Sequence, residues 1–128
     1  MRRIAIIDDV QDNLDLLYHM LSALYDVSRY AQGSEALAGL PSNVPDLVIL
    51  DVSLPDIDGF EVLRRIRQQQ ALRRVPVIAL TAHAMKGDRD KCMAAGFTDY
   101  VSKPILDLDD FLNRIAGHID RASNSEPA

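Results

Sequence analysis

Four apolar runs in this chain each end at a residue that can do chemistry. Leu47 to Leu50 runs into Asp51, Ile4 to Ile7 into Asp8 and Asp9, Val77 to Leu80 into Thr81, and the shorter Tyr100 to Ser102 into Lys103. A run without polar alternation reads as a strand covered on both faces, so the first ionisable group beyond it emerges at the strand's C-terminal edge. If the strands lie parallel in one sheet, three aspartates, a threonine and a lysine converge on one rim. Carboxylates gathered in one crevice repel one another unless protons, a cation or a basic side chain offset their charge. Magnesium does this well, being held by one or two carboxylates together with waters and a phosphate. Asp9 and Asp51 are expected to bind Mg2+ directly, Asp8 through a water, and the backbone carbonyl of Ser53 to add a ligand. Calcium is disfavoured, because the acidic loop from Asp56 to Gly59 lacks the spacing of the usual calcium loop. A carboxylate beside a cation can also act as a nucleophile and form an aspartyl-phosphate. Thr81 then offers a hydroxyl, Ala82 a backbone N–H and Lys103 a positive charge to the phosphoryl oxygens, so no general base is required.

The elements that must position these groups follow from periodicity. Strand and helix patterns alternate five times, which predicts an α/β fold with a parallel sheet and helices on both faces. Val10, Leu14, Leu17, Tyr18, Leu21 and Leu24 repeat at helical spacing and predict a first helix over roughly Gln11 to Leu24, with His19 on its solvent side. A short strand from Asp26 to Tyr30 and a small helix carrying Ala36, Leu37 and Leu40 come next. Asp58 and Glu61 have the spacing of a capping box for a third helix that buries Val62, Leu63 and Ile66. A fourth helix, Lys86 to Ala95, has few apolar residues (Cys92 and Met93, with Met85 just before it) and is expected to be the least firmly packed. Asp107 caps the last helix, which buries Leu108, Phe111, Leu112, Ile115 and Ile119 on one side. Residues 1–120 are expected to form one domain and 121–128 a flexible tail.

Composition narrows the function further. At 128 residues with 48% apolar and 26% charged side chains, the chain suits one globular domain with a core of its own. No apolar run reaches the length of a membrane span, and the first residues turn into a strand too early to serve as a secretory leader, which predicts a cytoplasmic protein without a membrane partner. The single Cys92 permits no internal disulfide and reads as a half-buried helix residue. A net charge of -5 argues against nucleic acid binding by this chain alone. Arg64, Arg65, Arg67, Arg73 and Arg74 cluster at the end of the third helix and read as a solvated C-terminal turn favoured by the helix dipole.

Asp8-Asp9, Asp51, Thr81-Ala82 and Lys103-Pro104, in this order and at these strand ends, resemble the receiver domain of two-component response regulators. The likeness covers about residues 2 to 119 and includes Pro55 and Gly59. It implies a doubly wound, flavodoxin-like sheet of order 2-1-3-4-5 with five helices, and a cis peptide at Lys103–Pro104. It also implies transfer of a phosphoryl group to Asp51 from a phosphohistidine on a sensor histidine kinase or histidine phosphotransfer protein, followed by slow self-catalysed hydrolysis. Such a chain would be a signalling module rather than an enzyme, with a downstream protein target that the sequence does not name. In that family a threonine moves toward the phosphoryl group and an aromatic residue turns inward. Here those are Thr81 and Tyr100, and the switch would alter the face made by the fourth helix, fifth strand and fifth helix. Tyr100 reads equally as an amphipathic strand residue with its hydroxyl in water. Ser53 and His83 occupy positions that vary in the family; His83 could aim a water at the phosphoryl group or merely face solvent, and the second is expected. The competing reading is a magnesium-dependent small-molecule phosphatase with an aspartyl-phosphate intermediate. Such enzymes place an acid/base aspartate two residues after the nucleophile, where this chain has Ser53, and 128 residues leave no room for a cap domain. A flavin carrier of similar topology is excluded by repulsion between its phosphate and the paired aspartates. A receiver that binds a partner without phosphorylation would not need the full set of reactive groups. Met1 and the short polar tail suggest a complete regulator, and residues 81–96 look like those of free-standing and hybrid-kinase receivers.

Overall fold

The computed structural model describes residues 2–82 and 86–124 of the chain. The elements alternate along the chain as β1 (Arg3–Ile7), α1 (Gln11–Leu21), β2 (Asp26–Tyr30), α2 (Gly33–Gly39), β3 (Leu47–Asp51), α3 (Gly59–Gln68), β4 (Val77–Thr81), α4 (Lys86–Ala95), β5 (Asp99–Ser102) and α5 (Leu108–Asn124). The five strands form one parallel sheet in the order β2-β1-β3-β4-β5. This is the doubly wound α/β fold expected from the sequence.

Every residue of β3 and β4 is buried, because each of these central strands has helices over both faces. Alternate side chains feed two cores. Val48, Leu50, Val77 and Ala79 pack with Val62, Leu63 and Ile66 of α3 and Cys92 of α4. Leu47, Ile49, Ile78 and Leu80 pack with Leu14, Leu17 and Leu21 of α1 and Phe111, Ile115 and Ile119 of α5. Registers put the strand ends level: Ile7 lies beside Leu50, Asp51 beside Leu80, and Thr81 beside Ser102. A level edge is what allows residues from four strands to meet.

Several expected boundaries and contacts change. Helix α1 stops at Leu21 rather than Leu24, because Leu24 and Tyr25 both bond back to the Leu21 carbonyl and the chain must turn there to pair Asp26 with Arg3. Leu24 is left exposed. Helix α5 continues through Asn124, so residues 121–124 are helical rather than tail. Arg and Ala favour helix, and Arg121 donates to Nδ1 of His118 one turn back. The last four residues of the expected tail lie outside the described residues. Cys92 is fully buried, not half-buried, and is the one buried side chain among those described in α4. That helix therefore has the sparse packing expected of it. Arg67 is not part of a solvated turn: its guanidinium donates to the carbonyls of Arg73, at 3.2 Å, and Val75, tying the end of α3 to the approach to β4. Burial lowers its pKa. Only half of the expected capping box forms. Asp58 accepts the Glu61 N–H at 2.9 Å, but the Glu61 carboxylate turns away to Arg64 and Arg65.

Candidate functional site

Each strand delivers its polar residue to the rim by a local device. Asp8 follows β1 and is held there by its N–H, which donates to the Tyr30 carbonyl of β2 at 3.1 Å. Its Oδ1 accepts the Val10 N–H at 3.0 Å, which directs the chain into α1. Asp51 is the last residue of β3, and its Oδ1 accepts the Ser53 N–H at 3.0 Å. The loop after it closes on itself, since Gly59 N–H donates to the Val52 carbonyl at 2.9 Å. A Cβ at Gly59 would lie 2.6 Å from Val52 Cα, so only glycine permits that approach. Lys103 leaves β5 with its N–H on the Thr81 carbonyl at 2.7 Å, and the Lys103–Pro104 bond is cis, as expected.

These devices bring the side chains together. Lys103 Nζ lies 3.0 Å from Asp8 Oδ2 and 3.3 Å from Asp51 Oδ2, bridging carboxylates on adjacent strands. Asp8 and Asp51 are buried, and Asp9 is exposed beside them. One oxygen from each of the three aspartates falls in a group spanning no more than 4.8 Å. Burial raises the pKa of Asp51, and the Asp8 charge adds to this, with the Ser53 N–H and Lys103 partly offsetting both. Burial works against the Lys103 ammonium, but its hydrogen bond to Asp8 and the charges of Asp51 and Asp8 prevail and raise its pKa. The crevice is thus an anionic site whose charge is only partly balanced by one amine. Oxygen-only donors, two of them buried and all within reach of one centre, fit a hard divalent cation such as Mg2+.

The remaining expected residues are placed less uniformly. Thr81 is buried at the end of β4, and Ala82 follows it, exposed on the rim. Thr81 and Ser53 border a small cavity of about 160 Å3 that continues to Phe60 and to Asp88, Lys91 and Cys92 of α4. Tyr100 lies on β5 opposite Ala79 of β4. It is half-buried against the core under α3 and α4, and burial, with the charges of Asp88 and Cys92, raises its pKa. His83 and Met85 lie outside the described residues. One residue with a part in building the site was not foreseen. Asp56 accepts the N–H groups of Gly33 and Ser34 at 3.2 and 3.1 Å and the Ser34 hydroxyl at 2.9 Å, joining the loop after β3 to α2. The only signal for it was an acid in a loop already rich in acids, and its partners are more than twenty positions away.

Residues 4–116 match the response regulator receiver domain. The chain belongs to this family. It is 38% identical over 107 residues to response regulator PleD of Caulobacter vibrioides, a match covering 83% of this chain and 24% of PleD. It is 37% identical over 105 residues to the polar-differentiation response regulator DivK of Brucella ovis, covering 81% of this chain and 85% of DivK. The chain therefore matches about a quarter of the one relative and most of the other. Among solved structures, the receiver domain of sensor histidine kinase PA1611 from Pseudomonas aeruginosa PAO1 superposes with a TM-score of 0.84 at 35% identity, covering 93% of this chain and 98% of that one. That structure has a magnesium ion coordinated in its active-site cleft. Receiver domains are signalling phosphoacceptors that interact with histidine kinases and downstream targets. Among the described residues no helix is long and apolar enough to cross a membrane.

Proposed function

We propose that this receiver accepts a phosphoryl group on Asp51 from a phosphohistidine of a sensor histidine kinase or histidine phosphotransfer protein, with Mg2+ at Asp8, Asp9, Asp51 and the Ser53 carbonyl. The observation that carries the reading is the Lys103 ammonium bridging Asp8 and Asp51, with Asp9 completing the acidic group. Bound among these carboxylates, the ion would offset their repulsion and the negative charge spreading over the phosphoryl oxygens. A carboxylate oxygen of Asp51 forms the O–P bond as the donor's N–P bond breaks, and the electron pair returns to the donor imidazole, which takes a proton from water. Lys103 and the Thr81 hydroxyl, with the Ala82 N–H, would balance the phosphoryl oxygens. Hydrolysis by water then regenerates the carboxylate and releases inorganic phosphate, so the chain catalyses only its own modification.

The surface beside the site suits a protein donor. A groove of about 310 Å3, mostly apolar, runs from Asn13, Leu16 and Leu17 of α1 to Lys103, Pro104 and Ile105. Leu16 and Leu106 are exposed nearby. For the output, Thr81 borders the cavity next to α4, and among the described side chains of that helix Cys92 alone is buried. Thr81 moving toward a phosphoryl group, with Tyr100 following it inward, would thus shift the face of α4, β5 and α5 toward a partner-binding form. A cytoplasmic setting, where such donors present phosphohistidine, belongs to the same reading.

Incubation with acetyl phosphate, or with a phosphorylated histidine donor, plus Mg2+ should raise the intact mass by one phosphoryl group. Asp51→Asn should not be labelled, nor should the unmutated chain in EDTA. Equal labelling of the Asp51→Asn protein would remove the assignment of the acceptor.

A further inference from the structure

Helix α2 has no cap of its own, since its N-cap residue Gln32 makes no side-chain hydrogen bond to it. The N–H groups of its first two residues are instead met by Asp56, which belongs to the loop after the acceptor strand. Both Asp56 oxygens are used, because Oδ2 also accepts the Ser34 hydroxyl. The junction is close as well as bonded. A Cβ at Gly33 would lie 2.7 Å from Val62 Cγ2 and 3.4 Å from the Ile57 carbonyl oxygen.

Traced around the rim, this contact closes a ring. Asp8 is fixed to Tyr30 at the end of β2, the chain passes from Tyr30 to Gly33 in three residues, Asp56 grips Gly33 and Ser34, and the loop leads back to Ser53 and Asp51. The two halves of the acidic site, Asp8 and Asp9 on one side and Asp51 and Ser53 on the other, are thus joined in three ways. The strands β1 and β3 join them through the sheet, the Lys103 ammonium bridges Asp8 and Asp51, and Asp56 joins them across the top.

We propose that Asp56 is a positioning residue: its grip on α2 fixes the spacing between the two halves of the cation site and so sets the affinity for Mg2+. The inference rests on the proposed function above. It predicts an effect on cation binding that a cap serving only the stability of α2 would lack. Residues that orient metal ligands without touching the metal typically alter affinity by roughly tenfold or more when removed.

The test is Mg2+ titration by calorimetry on the full chain, with thermal melts run in parallel. Asp56→Ala should raise the Kd about tenfold, and Asp56→Asn, which keeps one acceptor oxygen, about threefold. Ser34→Ala removes one donor without changing charge and should weaken binding about twofold. Phosphoryl uptake from acetyl phosphate by the Asp56→Ala protein should reach half of its own maximal rate only at a correspondingly higher Mg2+ concentration than in the unmutated chain. A lowered Tm with an unchanged Kd in Asp56→Ala would overturn the inference by reducing Asp56 to a structural cap. Equal weakening by Asp56→Ala and Asp56→Asn with none from Ser34→Ala would overturn it by assigning the effect to charge alone. An unmutated chain that neither binds Mg2+ nor accepts phosphoryl would refute the reading of the site itself, and the inference with it.

Discussion

Replacing Lys103 with methionine removes the one cation that lies between two buried carboxylates and leaves the aliphatic stem largely in place. At an effective dielectric constant of about 20, charges 3.0 and 3.3 Å apart attract by about 5 kcal/mol each. Most of that gross attraction is cancelled by the cost of drying the three ions, and losing one partner of a buried pair costs about 3–5 kcal/mol in net terms. The Lys103 side chain keeps 19% of its exposure, which puts the expected loss near the lower end, about 3 kcal/mol. Set against a total stability of about 5–15 kcal/mol, the variant should still fold. Its midpoint should fall by about 10 °C.

The sign of the pH dependence is fixed by the same geometry. The Lys103 pKa is raised in the folded chain, so the amine's contribution is complete below its unfolded pKa and disappears only as pH rises through the folded value. The full effect is therefore present at neutral pH. In Lys103→Met, Asp8 and Asp51 face each other unbalanced, and the folded state relieves this by taking up a proton as pH falls. The gap between variant and unmutated chain should narrow as pH falls, over a range above the ordinary carboxylate pKa because burial raises that of Asp51. Urea unfolding in EDTA at several pH values measures this directly. Repeating it with Mg2+ should stabilise the variant more than the unmutated chain, because the dication then replaces the missing charge. A loss under about 1 kcal/mol in EDTA at pH 7 would refute the view that the carboxylates depend on Lys103.

Two further outcomes follow from the rim. Asp51 has a raised pKa, so the folded chain holds its proton more tightly than the unfolded one, and stability falls as pH rises through that window. Asp51→Asn should therefore be more stable than the unmutated chain at pH 7 without metal, by on the order of 1 kcal/mol, and should lack that slope; a destabilised variant in EDTA would contradict the repulsion. Gly59→Ala would place a methyl 2.6 Å from Val52 Cα and 2.9 Å from the Asp51 carbonyl oxygen. It should cost about 2–3 kcal/mol in urea unfolding and slow labelling by acetyl phosphate, and a neutral result would mean the loop closes in another way.

The rim was legible in the sequence because burial on both faces removes polar residues from central strands, leaving the first carboxylate or amine to mark each strand's end. Asp8 and Asp51 announce themselves in this manner, and Thr81 as the first hydroxyl beyond β4, whereas Lys103 follows β5, a half-buried edge strand that itself carries Asp99 and Ser102. The lateral ties were not legible. Asp56 to Ser34 and Arg67 to Val75 join residues whose proximity depends on the crossover connections, and whereas Asp58 has Glu61 three residues on to mark it as a cap, nothing local marks Asp56. Helix ends were misjudged for related reasons. Leu24 continues the apolar period of α1, but the need to begin β2 opposite Arg3 outweighs it. Residues 121–124 have no apolar period, yet a polar i,i+3 contact and the helix-favouring Arg121 and Ala122 carry α5 onward.

The acids of the loop after β3 divide by what they face rather than by type. Asp58 accepts the Glu61 N–H and starts α3, and Asp56 accepts three donors from α2; the Ser34 N–H foremost, then the Ile57 N–H of its own loop, with the Ser34 hydroxyl and Gly33 N–H, hold its carboxyl down to about 2. Asp51, five residues earlier, has one N–H and a shared ammonium against burial and a neighbouring carboxylate, and its pKa moves the other way. Opposite shifts have opposite consequences for folding: the charge on Asp56 supports the folded chain above its unfolded pKa, whereas the charge on Asp51 opposes it. A carboxylate held by donors has no lone pair to spare for chemistry, and one kept short of donors at an open edge gains by sharing its charge with a cation or a phosphoryl group. The sign of the stability change on neutralising each acid therefore separates the residues that hold the site from those that react in it. Asp56→Asn should weaken the fold and Asp51→Asn strengthen it, although Asp56 lies in the loop that Asp51 leads into.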